Sequence, residues 1–407
     1  MEIVDGGGVT SAHGFEAGTA SSGLRTKTRR PDIALLYSQE PCSAAALFTQ
    51  NQVAAAPVLL DRETIAANRA RMRAVVANAG NANACTGAPG LWAARQMQKN
   101  AAFALGCDED QILVLSTGVI GVQLPMSKVN VGIDTAAKHL SPGNGRAAAE
   151  AIMTTDTFAK QIAVRLRFSD GHVVIGGMAK GAGMIHPNMA TMLALITSDA
   201  QVEPSRLQDI LKQAADRSFN RITVDGDTST NDTVLLLANG SSGVQIGDAE
   251  RQTLFQEALN YVCEKLAQMI VRDGEGATKF VTITVRGAPG NEAAHIVANA
   301  IATSPLVKTA LAGSDANWGR ILAAAGRAGV PFEQSKVALR VGKSGSHRLQ
   351  LVENGTPSEY AESEASAIFE QDEIEIELDL GVGDGASKMW TCDLGHDYVS
   401  INADYRT

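Results

Sequence analysis

A mixed α/β protein, with helices and strands in α+β layers, is what this sequence predicts, and three observations predict it. Residues 192–197 and 234–238 are continuous apolar runs of strand length, the pattern of strands covered on both faces. Residues 164–168 and 374–380 alternate apolar with charged side chains, which marks strands with one wet face. Helical stretches lie between them, one with apolar positions recurring at Leu254, Ala258, Val262 and Leu266. At 407 residues the chain suffices for one large or two medium domains around a substantial core.

From the N-terminus, residues 32–37 and 73–77 read as buried strands, and an alanine-rich helix opens at Gly90-Leu91-Trp92. Residues 111–116 form a further strand. Residues 164–168 and 172–175 pair as a hairpin turned at Ser169-Asp170-Gly171, leading into a glycine-dense run and then the strand 192–197. A helix starts at Pro204, whose fixed φ suits a first helical turn. Strands at 234–238, 280–285 and 374–380 alternate with a helix ending near Arg272 and helical residues 292–311, interrupted near Pro305. No pattern in the sequence orders these strands.

Composition excludes several classes of function. Hydrophobic residues at 45% and charged residues at 19% are ordinary for a soluble globular chain. A net charge of −9 and a pI near 5.4 argue against a nucleic-acid partner, and the one basic run, Arg25 to Arg30, reads as a short exposed turn. The start lacks the charged and apolar regions of a signal peptide, and no apolar stretch has bilayer-spanning length, so a cytoplasmic protein with no membrane partner is expected. Cys42, Cys85, Cys107, Cys263 and Cys392 are scattered and odd in number, which fits buried or incidental thiols in a reducing compartment, with Cys263 at the core or its edge. The seven histidines are equally dispersed, so no metal site is expected.

The most informative segment is 176–193, dense in glycine and containing Lys180-Gly181-Ala182-Gly183-Met184-Ile185-His186-Pro187-Asn188-Met189-Ala190-Thr191-Met192-Leu193. It sets a threonine behind a small residue at the head of an apolar strand. If the Ala190–Thr191 bond is cut, Thr191 gains a free α-amine, titrating near pH ~7.7–8, beside its hydroxyl. One residue then carries nucleophile and general base. The plain alternative is a glycine loop before a strand, with Thr191 a routine first residue.

Other clusters fall at strand ends. Asn78-Ala79-Gly80-Asn81-Ala82-Asn83 exceeds what one Asx turn needs. Ser116-Thr117-Gly118 sets a hydroxyl beside a glycine N–H, two donors that can meet on one oxygen. Residues 225–232 lack the glycine and terminal glutamate spacing of a calcium loop, and Gly342-Lys343-Ser344 lacks the leading glycine of a P-loop. Neither G-x-S-x-G nor a strand-borne G-x-G-x-x-G is present.

Together these pieces resemble the ornithine acetyltransferase family of arginine biosynthesis, self-cleaving N-terminal-nucleophile proteins. The resemblance runs nearly end to end, through Leu47-Phe48-Thr49-Gln50-Asn51, Met153-Thr154-Thr155-Asp156-Thr157, Asp273-Gly274-Glu275-Gly276-Ala277-Thr278-Lys279, Asn317-Trp318-Gly319-Arg320 and the C-terminal residues 398–407. Departures are few: Ala159 stands where proline is common, and Ala45-Ala46-Leu47 replaces a more usual Ala-Gly-Val.

The resemblance implies an N-terminal-nucleophile fold and cleavage at Ala190–Thr191 into an α chain, 1–190, and a β chain, 191–407, which stay associated as α2β2. It implies glutamate N-acetyltransferase (ornithine acetyltransferase) activity, in which Thr191 takes the acetyl group of N2-acetylornithine and passes it to glutamate. Thr117, by its side chain, and Gly118, by its backbone, form the oxyanion hole. Substrate contacts carry over to Thr157, Lys180, Thr191, Glu275, Asn402 and Thr407, with Thr155 an alternative to Thr157. Acetylornithine brings a carboxylate and an ammonium, so a lysine and a glutamate suit it, although Lys180 and Glu275 would also serve as a structural ion pair. His186 is expected to be structural, because the Thr191 amine already supplies a base. No metal or bound cofactor is implied, and acetyl-CoA stays open as a co-substrate. The rival readings are an N-terminal-nucleophile aminopeptidase or amidase, in which water replaces glutamate, and a paralogue that folds alike without processing.

Overall fold

A computed structural model describes residues 1–25, 30–186, 192–343 and 345–403. The chain divides into two compact units, one of Met1–Met184, Asn188–Asn220 and Asp227–Ile270, the other of Ile185–Pro187, Arg221–Gly226 and Val271–Thr407.

The first unit is built on a nine-stranded mixed sheet. Its longer strands are β1 (Phe15–Ala20), β2 (Ile33–Phe48), β3 (Met72–Asn81), β4 (Ile112–Val119), β5 (Lys160–Phe168), β6 (Gly171–Lys180), β7 (Leu193–Ser198) and β8 (Thr233–Ala238). Across the sheet the order is Glu2–Ile3, β5, β6, β7, β8, β2, β3, β4, with β1 pairing β2. Side chains alternate between two cores: Ile33, Leu35, Val76 and Val114 enter one, Leu36, Val75, Leu113 and Leu115 the other. Every residue of β7 and β8 is buried, as their unbroken apolar runs require. The predicted 164–175 hairpin is the β5–β6 pair.

Helices α1 (Ala56–Asn68), α2 (Gly87–Leu105), α3 (Met126–Lys138), α4 (Gly145–Ala151) and α5 (Pro204–Arg217) accompany the sheet. The α2 helix ends at Gly106 in the left-handed region, its N–H donating to the carbonyls of Ala102 and Phe103. On α6 (Ala249–Arg272), Phe255, Ala258, Val262, Cys263 and Leu266 are buried. Leu254, expected in that stripe, is 37% exposed, so the apolar face begins one residue later.

Of the basic run Arg25 to Arg30, residues 26–29 lie outside the described residues and Arg30 is exposed. Arg25 itself is a tether, its Nη2 donating to the carbonyls of Ala151 (2.9 Å) and Met153.

The second unit carries a seven-stranded sheet with β9 (Phe280–Ala288), β10 (Ala338–Gly342), β11 (Arg348–Glu353), β12 (Glu373–Asp379) and β13 (Gly385–Cys392). Helices α7 (Asn291–Ala302), α8 (Pro305–Ala312), α9 (Trp318–Gly326), α10 (Glu362–Phe369) and α11 (His396–Ala403) belong to it. Pro305 opens α8, which explains the interruption read there. The alternation of β12 places a glutamate ladder on one face. Glu377 meets Arg286 at 2.9 Å and Arg340 at 3.0 Å, and Glu375 meets Arg348 at 2.7 Å.

Candidate active site

Strand β6 ends at Lys180 and β7 begins at Leu193, and antiparallel pairing sets these two residues opposite each other. Thr233 of β8 and Phe48 of β2 continue the same row across the sheet. Ala190, Thr191 and Thr407 lie outside the described residues.

Lys180 is buried, and its Nζ donates to Thr117 Oγ1 at 3.2 Å. A hydroxyl that accepts from an ammonium keeps its own hydrogen to give, so Thr117 is arranged as a polarised donor. Beside it Gly118 has φ 135°, and a Cβ there would stand 2.3 Å from the Gly80 carbonyl carbon and 2.4 Å from the Asn81 nitrogen. Only glycine permits this approach at the irregular β3–β4 register around Gly80 and Asn81.

The asparagine cluster braces the same strand ends. Ser116 Oγ donates to Asn78 Oδ1 (2.6 Å), Asn78 Nδ2 to the Asn81 carbonyl (2.8 Å), and the Asn83 amide to Asn81 Oδ1 (2.8 Å). Asn231 ties in another segment, its Nδ2 donating to the carbonyls of Ala82 (2.7 Å) and Ser116 (2.9 Å). These amides hold the Thr117–Gly118 backbone in place.

Two buried aspartates act on Lys180. Asp156 Oδ1 accepts from Lys160 Nζ at 2.6 Å and from the Gly181 amide at 2.7 Å, and its Oδ2 accepts from the Thr154 amide at 2.8 Å. Burial opposes its ionised form, but Lys180, Lys160 and these hydrogen bonds outweigh that and hold it well below the usual carboxylate range. Thr157, the next residue, is exposed. Asp232 is the opposite case. Its Oδ1 accepts from the Met192 amide at 3.1 Å, while its buried Oδ2 has no hydrogen-bond partner among the described residues. Burial pushes this carboxyl well above its ordinary range, and the Met192 amide, Lys180, the Thr49 hydroxyl and the Ser229 amide offset only part of the shift. An unsatisfied buried polar atom of this kind costs about 1–3 kcal/mol. Thr117, Lys180, Met192, Asn231 and Asp232 line one small cavity.

In the second unit, Glu275 is buried and its Oε2 accepts from Asn402 Nδ2 at 2.8 Å. Asn402 lies on α11 and also donates to the Tyr398 carbonyl at 3.0 Å. Gly276, at φ 69°, brings the Glu275 loop against that helix, since a Cβ there would stand 2.5 Å from the Tyr398 nitrogen. Asp393 holds the other end of the loop, accepting from the Thr278 and Lys279 amides at 2.8 Å each. His186 Nδ1 lies 3.5 Å from Thr223 Oγ1. Among the described residues no group of three His, Cys, Asp or Glu is placed to hold a metal ion, and no helix is long and apolar enough to cross a membrane.

Residues 16–407 match the model of the ArgJ family. The chain belongs to the ArgJ family. The arginine biosynthesis bifunctional protein ArgJ of Symbiobacterium thermophilum is 49% identical over 405 residues, covering 98% of this chain and 99% of that protein. The protein of the same description from Caldanaerobacter subterraneus subsp. tengcongensis is 46% identical over 410 residues, 100% of both chains. A solved structure of an arginine biosynthesis bifunctional protein from Bacillus halodurans is similar over 51% of this chain and 96% of its own, at 41% identity and a TM-score of 0.47.

Asp156, Asn231 and Asp232 have no role legible in the sequence motifs: Asp156 lies inside Met153-Thr154-Thr155-Asp156-Thr157, and Asn231 and Asp232 close the run 225–232 that lacks the spacing of a calcium loop. A signal for Asp232 did exist, because a carboxylate two residues before the apolar run 234–238 is set to be buried with it.

Proposed function

We infer that this ArgJ-family chain is an arginine-biosynthesis enzyme that cuts itself at Ala190–Thr191 and moves an acetyl group from N2-acetylornithine to glutamate through acetyl-Thr191. The observation that carries the reading is the Lys180–Thr117 pair at 3.2 Å beside Gly118, at the sheet end where the chain enters and leaves the 190–191 bond.

In this reading the Thr191 amine takes the hydroxyl proton, and the hydroxyl oxygen attacks the acetyl carbonyl. Thr117 Oγ1 and the Gly118 N–H receive the negative charge on the carbonyl oxygen. Ornithine leaves with the proton. The glutamate amine then attacks acetyl-Thr191 and restores the free threonine, a ping-pong cycle. Lys180 supplies a cation for a substrate carboxylate, and Glu275, oriented by Asn402, an anion for the ornithine ammonium. Thr157 and Thr407 complete the substrate contacts. The α (1–190) and β (191–407) chains remain associated as α2β2 in the cytoplasm, with no metal or bound cofactor, and acetyl-CoA serves as a second acetyl donor.

Intact-mass measurement and N-terminal sequencing of the purified protein beside Thr191→Ala test this. Two fragments, the second starting at Thr191, are expected from the native chain and one uncut, inactive chain from the variant. A Thr191→Ala protein that still turned over acetylornithine would end the proposal. Free acetate in place of N-acetylglutamate would favour an amidase, and failure of acetyl-CoA to acetylate glutamate would limit the enzyme to one donor.

A further inference from the structure

We propose that Asp225 and Tyr398 are positioning residues for the donor's side-chain ammonium: their hydrogen bond seats helix α11 so that Asn402 holds Glu275 in place. This rests on the reading above in which Glu275 receives the ornithine ammonium. Every residue in the argument belongs to the second unit.

The link starts from a fixed point. Ile185 is fully buried, and its carbonyl accepts from the Val224 amide at 2.9 Å and from Thr223 Oγ1 at 3.0 Å. Its own amide donates to Asp225 Oδ1 at 2.9 Å. One oxygen of Asp225 is thereby held by a backbone that is itself held. The other, Oδ2, accepts from the Tyr398 hydroxyl at 3.1 Å.

Tyr398 lies on α11, and none of the eight residues of that helix, all described, is buried. Val399 is 66% exposed and Ile401 38%. A helix this short is marginal by itself, and without a buried apolar side chain it gains little from the hydrophobic effect. The ties that hold it are the Tyr398 hydroxyl on Asp225, the close approach of the Tyr398 nitrogen to Gly276, and Asn402 on Glu275. The last two join α11 to the Glu275 loop, whereas the first ties it to the Ile185 anchor outside that loop. Asn402 Nδ2 also donates to the Tyr398 carbonyl at 3.0 Å, so one helical turn carries the constraint from Tyr398 to the amide that meets Glu275.

A carboxylate already oriented binds an ammonium more tightly than a mobile one, because its side-chain entropy is lost before the substrate arrives. Glutamate ends in a carboxylate where ornithine ends in an ammonium, so it draws nothing from Glu275. The pair therefore serves the donor half of the cycle and not the acceptor half.

The test measures kcat/KM for N2-acetylornithine and for glutamate, which a ping-pong cycle reports independently, in native enzyme, Tyr398→Phe, Asp225→Ala and Asp225→Asn. Tyr398→Phe removes one oxygen and leaves the ring. It should lower kcat/KM for acetylornithine about 5–20-fold, mainly through KM, and leave kcat/KM for glutamate within about twofold. Asp225→Ala should do the same. Asp225→Asn keeps an oxygen for the Ile185 amide and offers an N–H to the tyrosine oxygen, so it should stay within about threefold of native. Equal losses for both substrates would mean a general structural role and overturn the proposal. An unchanged Tyr398→Phe enzyme would overturn it too, as would an Asp225→Asn enzyme as impaired as Tyr398→Phe. If Asp225→Ala does not fold, Tyr398→Phe and Asp225→Asn decide. Failure of the underlying reading is distinguishable, since a native enzyme without acetylornithine turnover, or a Glu275→Gln enzyme with native kcat/KM for acetylornithine, needs no Asp225 or Tyr398 variant to be seen.

Discussion

Asp156 and Asp232 are both buried and both act on Lys180, yet their surroundings are opposite. Asp156 spends both oxygens on two backbone amides and a lysine, and it is held ionised. Asp232 spends one oxygen on the Met192 amide, and its other oxygen has no hydrogen-bond partner among the described residues. The first is a finished structural joint, fixing Gly181 behind Lys180 and Thr154 ahead of Thr157. The second is governed by burial, which favours the protonated carboxyl over the ionised one.

The widest separation between them should come from Asp156→Asn. Asp156→Asn takes from Lys160 its 2.6 Å buried ion pair and from Lys180 one of its two aspartates, and a loss of about 3–5 kcal/mol in denaturant unfolding is expected. A variant within 1 kcal/mol of native, roughly the scale of an exposed pair, would show that this joint is not structural. The pH dependence has a definite sign. Because Lys180, Lys160 and the hydrogen bonds depress the folded value, with Arg25 a further cation nearby, the contribution is complete above about pH 4 and is lost as pH falls towards the folded value. Asp156→Asn should therefore lack that part of the acid-side loss.

Lys180→Met comes next. It removes the cation from Thr117 and from the substrate carboxylate, and acetyl transfer should fall about 100- to 1,000-fold in kcat/KM. Transfer kept within a few-fold would make Lys180 a partner of the aspartates only.

Gly118→Ala tests the close approach that keeps the donor pair in place. A methyl group 2.3 Å from the Gly80 backbone forces the strands apart, with about 1–3 kcal/mol lost and a lower Tm.

The smallest effect sharpens the contrast most. In an uncut Thr191→Ala background, Asp232→Asn should change stability by less than about 1 kcal/mol at neutral pH, or raise it. The folded chain holds this proton longer than the unfolded chain, so Asp232 costs stability as pH rises above about 4, and asparagine removes that cost. A loss like that of Asp156→Asn would make the two carboxyls equivalent.

Much of the scaffold was legible because short-range patterns carry it. Ser169-Asp170-Gly171 turns the β5–β6 hairpin, and Pro204 and Pro305 open the helices predicted there. The run read as a covered strand at 192–197 is the strand Leu193–Ser198, every residue of it buried. Tertiary pairing overrides a local breaker in one strand. Residues 32–37 alone read as a short strand, yet β2 continues to Phe48 through Pro41, because its register shifts between Tyr37 and Cys42 and lets the strand bend. The asparagines of 78–83 signalled something beyond one turn, but which strand ends they join is set by partners as distant as Asn231.

The sequence by itself determined the strand and helix types, the family motifs and the threonine behind the glycine-dense run, since backbone propensity, hydrophobic period and motif spacing are local properties. Only the tertiary structure decided that Lys180 meets Thr117 across 63 residues, that Asn402 meets Glu275 across 127, and that among the described residues Asp156 has both oxygens bonded and Asp232 only one. A carboxylate's partners and its loss of water depend on which strands lie side by side, and that order is written in long-range packing alone.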